Sequence, residues 1–555
     1  MSEGGRDVAR VYDILARSFV QEDVRTCFSL LGDANMNFAV RLAEQGCRMI
    51  YVRHEHCAVA AAMAFARKTG DVGVATVTCG PGLTQLMTAL PAAVRARLPV
   101  VIFAGEAPLK SGWYNQAIDQ APFVTATCSA YHSLHLPARM PAAIRDAFLQ
   151  ARRERRPVVV GVPFDLQDLA WSGSEDLPAP SRTLVPAVSP VPPHPDDVAR
   201  AAQMIREAGK VIVMAGLGAV EAGAAGACRN LAETCDGLLA ETLPARGLFH
   251  DDPFSLGVAG GFSSEIAFDC FGEADLIVAV GCSLTFHNAA GGSLWPKAKV
   301  LQIDLDPVSV NQGRVAADAH MRADARLGAE ALADALTARP VSWRSGDLAE
   351  RIRTLPADST PFDIEPGALD PRDVVSALED ALPAEWEMVN SSGHCSYFFA
   401  HMRSRPQSQF LTIREFGAIG NGISFAMGVA AARPDRTVVL FDGDGSLLMH
   451  VQELETFARH GLNILIVVLN DGAYGSEIHK LRAEGLPEDG AVFGRTDLAA
   501  IARGFGLAGE TVTDLSDLPE LIDRFARTGG AAVFDFPVSD RVVSPVIRRA
   551  HPPKA

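Results

Sequence analysis

The sequence lacks the features that define several common classes of protein. Its ten cysteines include no CxxC pair, so they indicate neither a disulfide framework nor a zinc site. No segment reaches the roughly 18 uninterrupted apolar residues that a membrane-spanning helix needs, and the first ten residues are polar and charged. We therefore expect a cytoplasmic protein with no membrane partner.

Basic clusters are scarce as well. The formal net charge is −16, and no basic run is longer than Arg152–Arg156. Proteins that bind nucleic acids usually carry clustered lysine and arginine side chains, which release counterions from the phosphate backbone. The sequence therefore predicts that nucleic acid is not a partner.

The length and composition predict two or three domains. The chain has 555 residues, of which 48% are hydrophobic and 21% charged, and single hydrophobic cores stop growing near roughly 250–300 residues. Two segments rich in proline and small polar residues resemble linkers, Asp176–Pro195 and Thr354–Pro371. They divide the chain into domains over residues 1–180, 190–345 and 368–555.

Apolar segments without alternation recur along the chain and are mostly bounded by Gly, Pro or Asp. Such segments are typical of buried parallel strands, and they are Val100–Ala104, Val158–Val162, Val211–Ala215, Leu276–Val280, Val300–Ile303, Thr437–Phe441 and Ile464–Leu469. Alanine-rich amphipathic stretches lie between them, over Cys57–Lys68, Pro141–Arg153, Val198–Ala208, Ala222–Cys235 and Val451–His460. These repeated βα units predict an α/β fold of three doubly wound domains with mainly parallel sheets. The first and third domains are candidates for a shared topology.

Two acidic residues follow predicted strands in the third domain. Gly443–Ser446 reads GDGS directly after one apolar strand, and Asn470–Gly475 reads NDGAYG after a second. Asp444 and Asp471 therefore reach the carboxyl ends of two strands, where open α/β sheets bind ligands. Two carboxylates beside glycine-rich turns suit a Mg²⁺ ion that takes its remaining ligands from water and a diphosphate.

The first of these motifs also suits phosphate. Gly443 and Gly445 allow backbone N–H groups to approach phosphate oxygens, and a helix expected to begin near Leu448 adds its positive N-terminus. An isolated GDG also marks ordinary tight turns. The second acid at a strand end is what favours the metal interpretation.

The arrangement resembles the thiamine-diphosphate (ThDP) family of acetolactate synthases, pyruvate and benzoylformate decarboxylases and pyruvate oxidases. The third domain of that family carries GDG and, after a further strand, Asn-Asn. The resemblance implies Mg²⁺ bound by Asp444, Asp471 and the Ala473 carbonyl. Asp471 stands where the family usually has Asn, which adds a negative charge beside an anionic cofactor.

The first domain carries a second landmark, a glutamate at the end of a predicted strand. Arg53–His56 reads RHEH and follows the predicted strand Arg48–Val52. Glu55 resembles the family's glutamate that faces the aminopyrimidine ring of ThDP. A carboxyl group there favours the imino tautomer, whose exocyclic nitrogen removes the thiazolium C2 proton. Taken alone, a glutamate at a helix start is equally explained by the helix macrodipole.

Two glycine-rich segments reinforce the resemblance. Thr78–Gly82 resembles the TSGPG turn of the family's first domain. Gly417–Gly422 resembles its GxMGxG segment, in which Ile419 takes the position of the apolar wedge that holds ThDP bent. Besides Glu55, the cofactor contacts implied by the resemblance are Gly80, Gly82, Gly393, His394, Gly417, Ile419, Gly443, Gly445, Ser446 and Tyr474.

The second domain gives a weaker indication of a cofactor. Gly216–Gly218 follows a predicted strand, but Glu221 stands where a dinucleotide fingerprint has its third glycine. Ala274–Gly281 and Ile303–Pro307 resemble the central domain of acetolactate-synthase-like proteins, which sometimes holds FAD. FAD is possible here but not expected.

The outcome of the reaction depends on acids near the cofactor. The resemblance implies that a 2-oxo acid loses CO₂ to give an enamine, which is protonated to an aldehyde or ligated to a second carbonyl compound. Asp33 resembles the Gly-Asp-x-Asn acid of pyruvate-type decarboxylases, and Glu477 resembles their second acid. Gln116 resembles a glutamine of the synthases, whereas the paired histidines of the decarboxylases have no counterpart. Lyase and ligase outcomes therefore both stay open.

By these resemblances the chain is identified as an acetolactate-synthase-like member of the ThDP family. The expected activity is Mg²⁺-dependent, non-oxidative decarboxylation or carboligation, with a 2-oxo acid and a carbonyl acceptor as ligands. In this family the first domain of one subunit faces the third domain of another, so Glu55 and Asp444 are expected to meet between chains of a homodimer or homotetramer. Two alternatives stay open: an FAD-containing acetolactate synthase or oxidase, and a ThDP-binding regulatory protein without turnover.

Overall fold

The fold consists of three parallel β-sheets, each flanked by helices. A computed structural model describes residues 8–174, 176–306 and 317–552. Each of the three sheets has six strands, and the paired strands run parallel. The predicted α/β class is confirmed, and each predicted domain contains one of the sheets.

The first sheet lies in the amino-terminal part of the chain. Its strands are β1 (Thr26–Ser29), β2 (Arg48–Tyr51), β3 (Gly73–Val77), β4 (Val100–Glu106), β5 (Ala130–Ser133) and β6 (Pro157–Pro163). Their order in the sheet is β2-β1-β3-β4-β6-β5. The helices of this part are α1 (Val11–Gln21), α2 (Met36–Glu44), α3 (Glu55–Thr69), α4 (Pro81–Thr84), α5 (Ala89–Arg95), α6 (Ala121–Ala126), α7 (Met140–Glu154) and α8 (Phe164–Gln167).

The second sheet has the strand order of dinucleotide-binding folds. Its strands are β7 (Val211–Ala215), β8 (Leu238–Glu241), β9 (Ser255–Val258), β10 (Leu276–Val280), β11 (Lys299–Asp304) and β12 (Ala319–Arg322). Their order is β12-β11-β10-β7-β8-β9. The helices are α9 (Pro195–Glu207), α10 (Leu217–Glu221), α11 (Ala225–Thr234), α12 (Glu265–Glu273), α13 (Phe286–Ala289), α14 (Ala325–Asp334) and α15 (Gly346–Thr354).

The third sheet repeats the strand order of the first. Its strands are β13 (Glu387–Asn390), β14 (Phe410–Thr412), β15 (Val438–Gly443), β16 (Ile464–Asn470), β17 (Ala508–Thr511) and β18 (Ala531–Pro537). Their order is β14-β13-β15-β16-β18-β17. The helices are α16 (Pro371–Ala381), α17 (Cys395–Phe399), α18 (Gly422–Ala432), α19 (Asp444–Met449), α20 (Glu453–His460), α21 (Gly475–Glu484), α22 (Leu498–Gly504), α23 (Leu518–Thr528) and α24 (Pro545–Ala550).

Short 3₁₀ helices complete the described secondary structure. They are Pro137–Arg139, Ser181–Thr183, Leu243–Ala245, Gly260–Phe262, Ala290–Gly292, Gln407–Gln409 and Leu515–Asp517. Within the described ranges, no helix is long and apolar enough to cross a membrane.

Strand positions follow the apolar segments of the sequence closely. β7 and β10 have the predicted bounds, and every residue of both strands is buried. Burial of both faces explains why the sequence does not alternate there. One prediction is wrong: the helix expected near Leu448 begins at Asp444, because the backbone of the predicted GDGS turn is already helical. Pro307, at the end of one predicted segment, lies outside the described residues.

Two helices join the first sheet to the third. Most side chains of α3 and nearly all of α18 are buried. Their backbones approach closely, because a Cβ atom added to Gly428 would lie 2.2 Å from the Ala61 carbonyl oxygen. Residues of both helices belong to one hydrophobic core. The two domains that carry the predicted site residues therefore pack against each other within the chain.

Candidate active site

A cleft opens at the carboxyl ends of β13, β15 and β16. It brings together most of the residues predicted for the third domain. Those that line it are Gly393, His394, Ile419, Gly443, Asp444, Gly445, Ser446, Asp471, Ala473, Tyr474 and Glu477. Gly417 is exposed and does not line the cleft.

The two predicted metal-binding carboxylates are held by backbone N–H groups. Asp444 Oδ1 accepts the Gly445 N–H and Oδ2 accepts the Gly472 N–H, each at 2.9 Å. Asp471 Oδ1 accepts the Ala473 N–H at 3.2 Å. Burial raises the pKa of Asp444 to about 6, and burial together with the Asp444 charge raises the pKa of Asp471 well above its ordinary value. A cation between the two carboxylates would relieve both effects.

The donor set fits a hard divalent cation that shares its ligands with another group. Within the described ranges, no group of three or more His, Cys, Asp or Glu side chains is arranged to hold a metal. The protein thus offers two carboxylates and nearby carbonyl oxygens instead of a closed cage. Mg²⁺ is usually bound in this way, through one or two carboxylates plus water and phosphate oxygens.

Two glycines keep the floor of the cleft free of side chains. A Cβ atom added to Gly475 would lie 2.5 Å from Asp471 Oδ2 and 2.9 Å from His394 Nδ1. A Cβ atom added to Gly445 would lie 2.8 Å from the Tyr474 ring. Side chains at either position would collide with the site, so the backbone there is accessible to a phosphate.

Ile419 is positioned by a short hydrogen-bond chain. Ser446 Oγ accepts the Gly420 N–H at 2.9 Å and lies 3.0 Å from Ser391 Oγ. Gly420 has φ +85°, a left-handed conformation that favours glycine. These hydrogen bonds tie the segment that carries Ile419 to the GDGS motif, so Ile419 and the GDGS turn are fixed relative to each other.

His394 is a buried, neutral side chain of the cleft. Its Nε2 accepts the Ser544 N–H at 3.2 Å, and burial lowers the pKa of its imidazole well below the ordinary value. A neutral ring that accepts at Nε2 carries its proton on Nδ1. His394 Nδ1 therefore faces the neighbourhood of Gly475 and Asp471 as a hydrogen-bond donor.

Glu477 lies at the open side of the cleft. It is in the first turn of α21, its side chain is exposed, and it pairs with Lys480 at 3.4 Å. It is therefore accessible to a molecule that enters from solvent.

The residues predicted in the first domain form a second group. Glu55 is the first residue of α3, and its Oε1 lies 3.4 Å from a Cβ atom added to Gly82. Burial raises the pKa of Glu55. Gly80 has φ +59°, and a Cβ atom there would lie 2.3 Å from the Gln116 carbonyl oxygen. Glu55 and the turn of Gly80 and Gly82 are thus neighbours at the carboxyl end of β3.

Asp33 and Gln116 share a polar patch beside this turn. Gln116 Oε1 accepts the Tyr114 hydroxyl at 3.4 Å and the Cys79 thiol at 3.5 Å. Burial raises the pKa of Cys79 and of Tyr114, and the negative charge of Asp33 raises both further. The structure therefore brings the two predicted residues together with two additional protic side chains.

The first-domain group does not contribute to the lining of the third-domain cleft. None of the first-domain residues Glu55, Asp33 and Gln116 lines the cleft of the third domain. The start of α3 instead touches the segment next to Ile419, because His56 Nε2 lies 2.5 Å from Asn421 Oδ1. Within one chain, the predicted first-domain residues therefore lie outside the lining of the cleft that holds Asp444 and Asp471.

Family models match all three parts of the chain. The models match residues 9–123 as "Thiamine pyrophosphate enzyme, N-terminal TPP binding domain", 198–332 as its central domain and 391–536 as its C-terminal TPP binding domain. The chain belongs to the thiamine pyrophosphate enzymes. It is an acetolactate-synthase-like enzyme of this family, within its carboligase and transferase group.

The similarity to curated acetolactate synthases extends over most of the chain. The large subunit from Parasynechococcus marenigrum is 30% identical, over 86% of this chain and 81% of its own length. The isozyme 2 large subunit from Escherichia coli is 29% identical over 92% of each chain. The probable large subunit from Methanocaldococcus jannaschii is 29% identical, over 83% of this chain and 80% of its own length.

Two residues of this thiamine pyrophosphate enzyme were missed from the sequence. Gln120 is buried, accepts the Gly80 N–H at 2.9 Å through Oε1, and donates to the Gly105 carbonyl at 3.0 Å. Asp442 is buried directly before the GDG motif, and burial raises its pKa to about 7. The sequence signal for Asp442 was an acidic residue within an otherwise apolar strand. Gln120 lies in an irregular loop, and the sequence gave no signal for it.

Proposed function

We propose that this enzyme is a ThDP- and Mg²⁺-dependent carboligase that decarboxylates a 2-oxo acid and joins the remaining fragment to a second carbonyl compound. The observation that carries the proposal is the Asp444 and Asp471 pair at the ends of two parallel strands, beside the backbone of Gly475. The three curated relatives described above are named as acetolactate synthases, and these names support the ligase outcome.

Asp444, Asp471 and the Ala473 carbonyl are the proposed ligands of Mg²⁺. They would hold the ion beside a diphosphate, which the backbone of Gly443, Gly445 and Ser446 would bind. Ile419, in the wall of the cleft, would contact the cofactor. When bound, ThDP supplies a nucleophilic carbon and a ring that accepts the electrons released with CO₂.

Glu55 is the proposed proton donor to the aminopyrimidine ring. Its raised pKa results from burial, so its carboxyl group gives and takes a proton more readily near neutral pH than an exposed glutamate. His54 caps the same helix by accepting the His56 N–H at 3.1 Å. The cap fixes the first turn of α3 and with it the direction of Glu55.

The complete site requires a second subunit in this proposal. Both half-sites have exposed apolar neighbours: Trp113 is 78% and Leu109 53% exposed near Gln116, and Phe493 is 42% exposed beside Tyr474. Large exposed apolar groups around a site favour burial against a partner. We place Glu55 of the partner subunit opposite Asp444 in a homodimer or a dimer of dimers.

A second candidate is a decarboxylase that releases an aldehyde. It is favoured by the patch in which two protic side chains, Tyr114 and Cys79, lie close to Asp33. Together with Glu477 from the cleft, such groups would deliver the proton that completes the reaction when no second carbonyl compound is joined.

The deciding experiment measures CO₂ release from a panel of 2-oxo acids, pyruvate included, with ThDP and Mg²⁺ present. Glu55→Gln is the control, and the products are identified from the same tubes. Hydroxyketones or acetohydroxy acids support the ligase, and aldehydes alone support the second candidate. Release that persists unchanged in Glu55→Gln would contradict the mechanism. No release from any acid would favour a ThDP-binding protein without turnover.

FAD is not part of the proposal. Glu221 occupies the position of a third fingerprint glycine and is engaged by Arg155 through two hydrogen bonds, at 2.6 and 3.1 Å. We therefore expect the purified protein to show no flavin absorbance in the visible range. A yellow protein with bound flavin would favour the FAD-containing synthase or oxidase instead.

A further inference from the structure

A series of hydrogen bonds lies behind the turn of Gly80 and Gly82 (the Gly80 turn). Gln120 accepts the Gly80 N–H through Oε1, and its Nε2 group donates to the Tyr131 hydroxyl at 3.0 Å. That hydroxyl donates to the Glu106 carboxylate at 2.6 Å. The series therefore connects the Gly80 turn to an acidic side chain at the end of β4.

The series has one direction. A carboxylate only accepts hydrogen bonds, so the Tyr131 hydroxyl donates to Glu106 and accepts from Gln120. Burial and the neighbouring charge of Glu106 raise the pKa of Tyr131, so its hydroxyl keeps the proton that it donates. The Gly105 carbonyl accepts from the same Nε2 atom. These two acceptors fix the NH₂ group of Gln120 and leave its Oε1 atom for the Gly80 N–H.

The fold leaves space for the polar groups of this series. A Cβ atom added to Gly161 would overlap the Tyr131 hydroxyl and the Glu106 carboxylate. Gly161 lies within β6, and a glycine inside a strand often marks the close approach of another group. The missing side chain at this position is therefore explained by the two polar groups that occupy its place.

The far end of the series is held by further contacts. Glu106 also accepts the Ser133 hydroxyl and lies 2.8 Å from His135 Nε2. Its side chain is 14% exposed. The position of the Glu106 carboxylate therefore does not depend on Tyr131 alone.

The Gly80 turn contacts the carboxyl group of Glu55. The Gly80 carbonyl accepts the Thr84 N–H at 3.0 Å, so the backbone of the turn is bonded on both sides of Gly80. A Cβ atom added to Gly82 would lie 3.4 Å from Glu55 Oε1. A shift of this turn would therefore change the space around the Glu55 carboxyl group.

We propose that Gln120, oriented by Tyr131 and Glu106, is a positioning residue that holds the Gly80 turn against Glu55. It acts on the reaction through Glu55. The inference rests on the proposed function, because it assumes that Glu55 exchanges a proton with the cofactor. The position of the turn does not depend on that assumption and is measured separately.

The first test is hydrogen exchange, followed by mass spectrometry, on the whole protein without cofactor. Gln120→Leu removes the acceptor of the Gly80 N–H, and the peptide that contains Gly80 should exchange at least about tenfold faster. Tyr131→Phe should accelerate the same peptide less, because Gln120 keeps its bond to Gly105. The matched control Gln302→Leu removes another buried glutamine, on β11, and should leave this peptide unchanged.

The second test measures turnover and ThDP affinity of the same variants. Gln120→Leu should lower kcat about tenfold, because the Glu55 carboxyl group loses its fixed direction. ThDP affinity, measured by calorimetry, should stay within about threefold of the parent, as expected for Glu55→Gln. Gln120→Leu added to Glu55→Gln should cause no further loss of turnover, because both variants act on one proton exchange.

Gln120→Glu distinguishes hydrogen bonding from packing. Its protonated carboxyl group accepts from Gly80 and donates to Gly105 as the amide does, whereas the ionised form has no donor. The ratio of its kcat to that of the parent should therefore rise as the pH falls from about 8 to about 6. Using this ratio cancels the titration of groups that both proteins share, such as Glu106 and His135.

Unchanged exchange of the Gly80 peptide in Gln120→Leu, an equal rise in every peptide, or fully additive losses with Glu55→Gln overturns the proposal. If Gln120→Leu fails to fold by circular dichroism, Tyr131→Phe must show the faster exchange and Gln120→Glu the pH-dependent ratio. Absence of turnover in the parent would contradict the proposed function instead. Hydrogen exchange would still decide whether Gln120 holds the turn.

Discussion

Substitution of the single side chain Glu55 should affect turnover but not cofactor binding. We predict that Glu55→Gln lowers turnover by at least about 100-fold, because the amide cannot exchange a proton with the aminopyrimidine ring. ThDP binding, measured by calorimetry, should stay near that of the parent. The matched control is Glu44→Gln, which changes an exposed glutamate on α2 and should leave turnover intact. Near-normal turnover in Glu55→Gln would show that the activation mechanism is wrong.

Asp471 stands where the resemblance implies an asparagine. We predict that Asp471→Asn keeps Mg²⁺ and ThDP binding within about tenfold, since an amide oxygen still coordinates the metal and one unfavourable charge is removed. Asp444→Ala should abolish binding, measured in the same titrations. Complete loss of metal binding in Asp471→Asn would mean that the metal site is misplaced.

At the scale of elements, the contact between α3 and α18 depends on one glycine. We predict that Gly428→Ala destabilises the protein by about 1–3 kcal/mol, because the new methyl group would collide with the Ala61 carbonyl and push the helices apart. The matched control is Gly226→Ala in α11, where an added Cβ meets nothing within 4 Å. The thermal unfolding temperature should decrease for Gly428→Ala only. Equal unfolding temperatures in the two variants would indicate that the helices move apart without a loss of stability.

Strands were the part of the fold most readily predicted from the sequence. β7 and β10 are buried on both faces, so an unbroken apolar run marks them from end to end. The start of α19 was missed because glycine and aspartate favour turns in sequence patterns. In the structure, the backbone is helical from Asp444 onward. The identical strand order of the first and third sheets was suggested by the βα pattern alone, since their sequences give no common motif.

For the whole molecule, buried histidines make stability depend on pH. Burial lowers the pKa of His56 to about 4, and its ring stacks on His450 at 5.0 Å. The folded protein therefore binds fewer protons than the unfolded chain between pH 4 and 6.5, so stability falls as the pH drops through this range. We predict a loss of about 1–3 kcal/mol from this histidine alone, seen as a lower urea midpoint at pH 5 than at pH 8.

Two variants isolate the contribution of His56. His56→Gln keeps a donor for Asn421 and should reduce the acid sensitivity of the midpoint. His132→Gln changes an exposed histidine bonded to Gln150 and should leave it unchanged. If the urea midpoint is equally sensitive to acid in the parent and in both variants, the pH dependence comes from groups other than His56.

The site was predictable only in part because its halves are far apart in sequence. Asp444 and Asp471 were found because strand ends converge at one edge of a sheet, which sequence patterns reveal. The neighbourhood of Glu55, Gly82 and Gln116 depends on how loops fold back over β3, and no local pattern encodes it. The opposition of Glu55 and Asp444 across two subunits came from the resemblance and stays a prediction.

The matching strand orders give the chain an internal pseudo-symmetry in which β3 corresponds to β15 and β4 to β16. The third sheet places Asp444 after β15, whereas the turn after β3, Thr78–Gly82, contains no acid. The acid that ends β4, Glu106, already accepts the Tyr131 hydroxyl at 2.6 Å and the Ser133 hydroxyl at 2.8 Å. Only one of the two equivalent positions is equipped for a metal diphosphate, so cofactor titration should saturate at a stoichiometry of one ThDP per polypeptide.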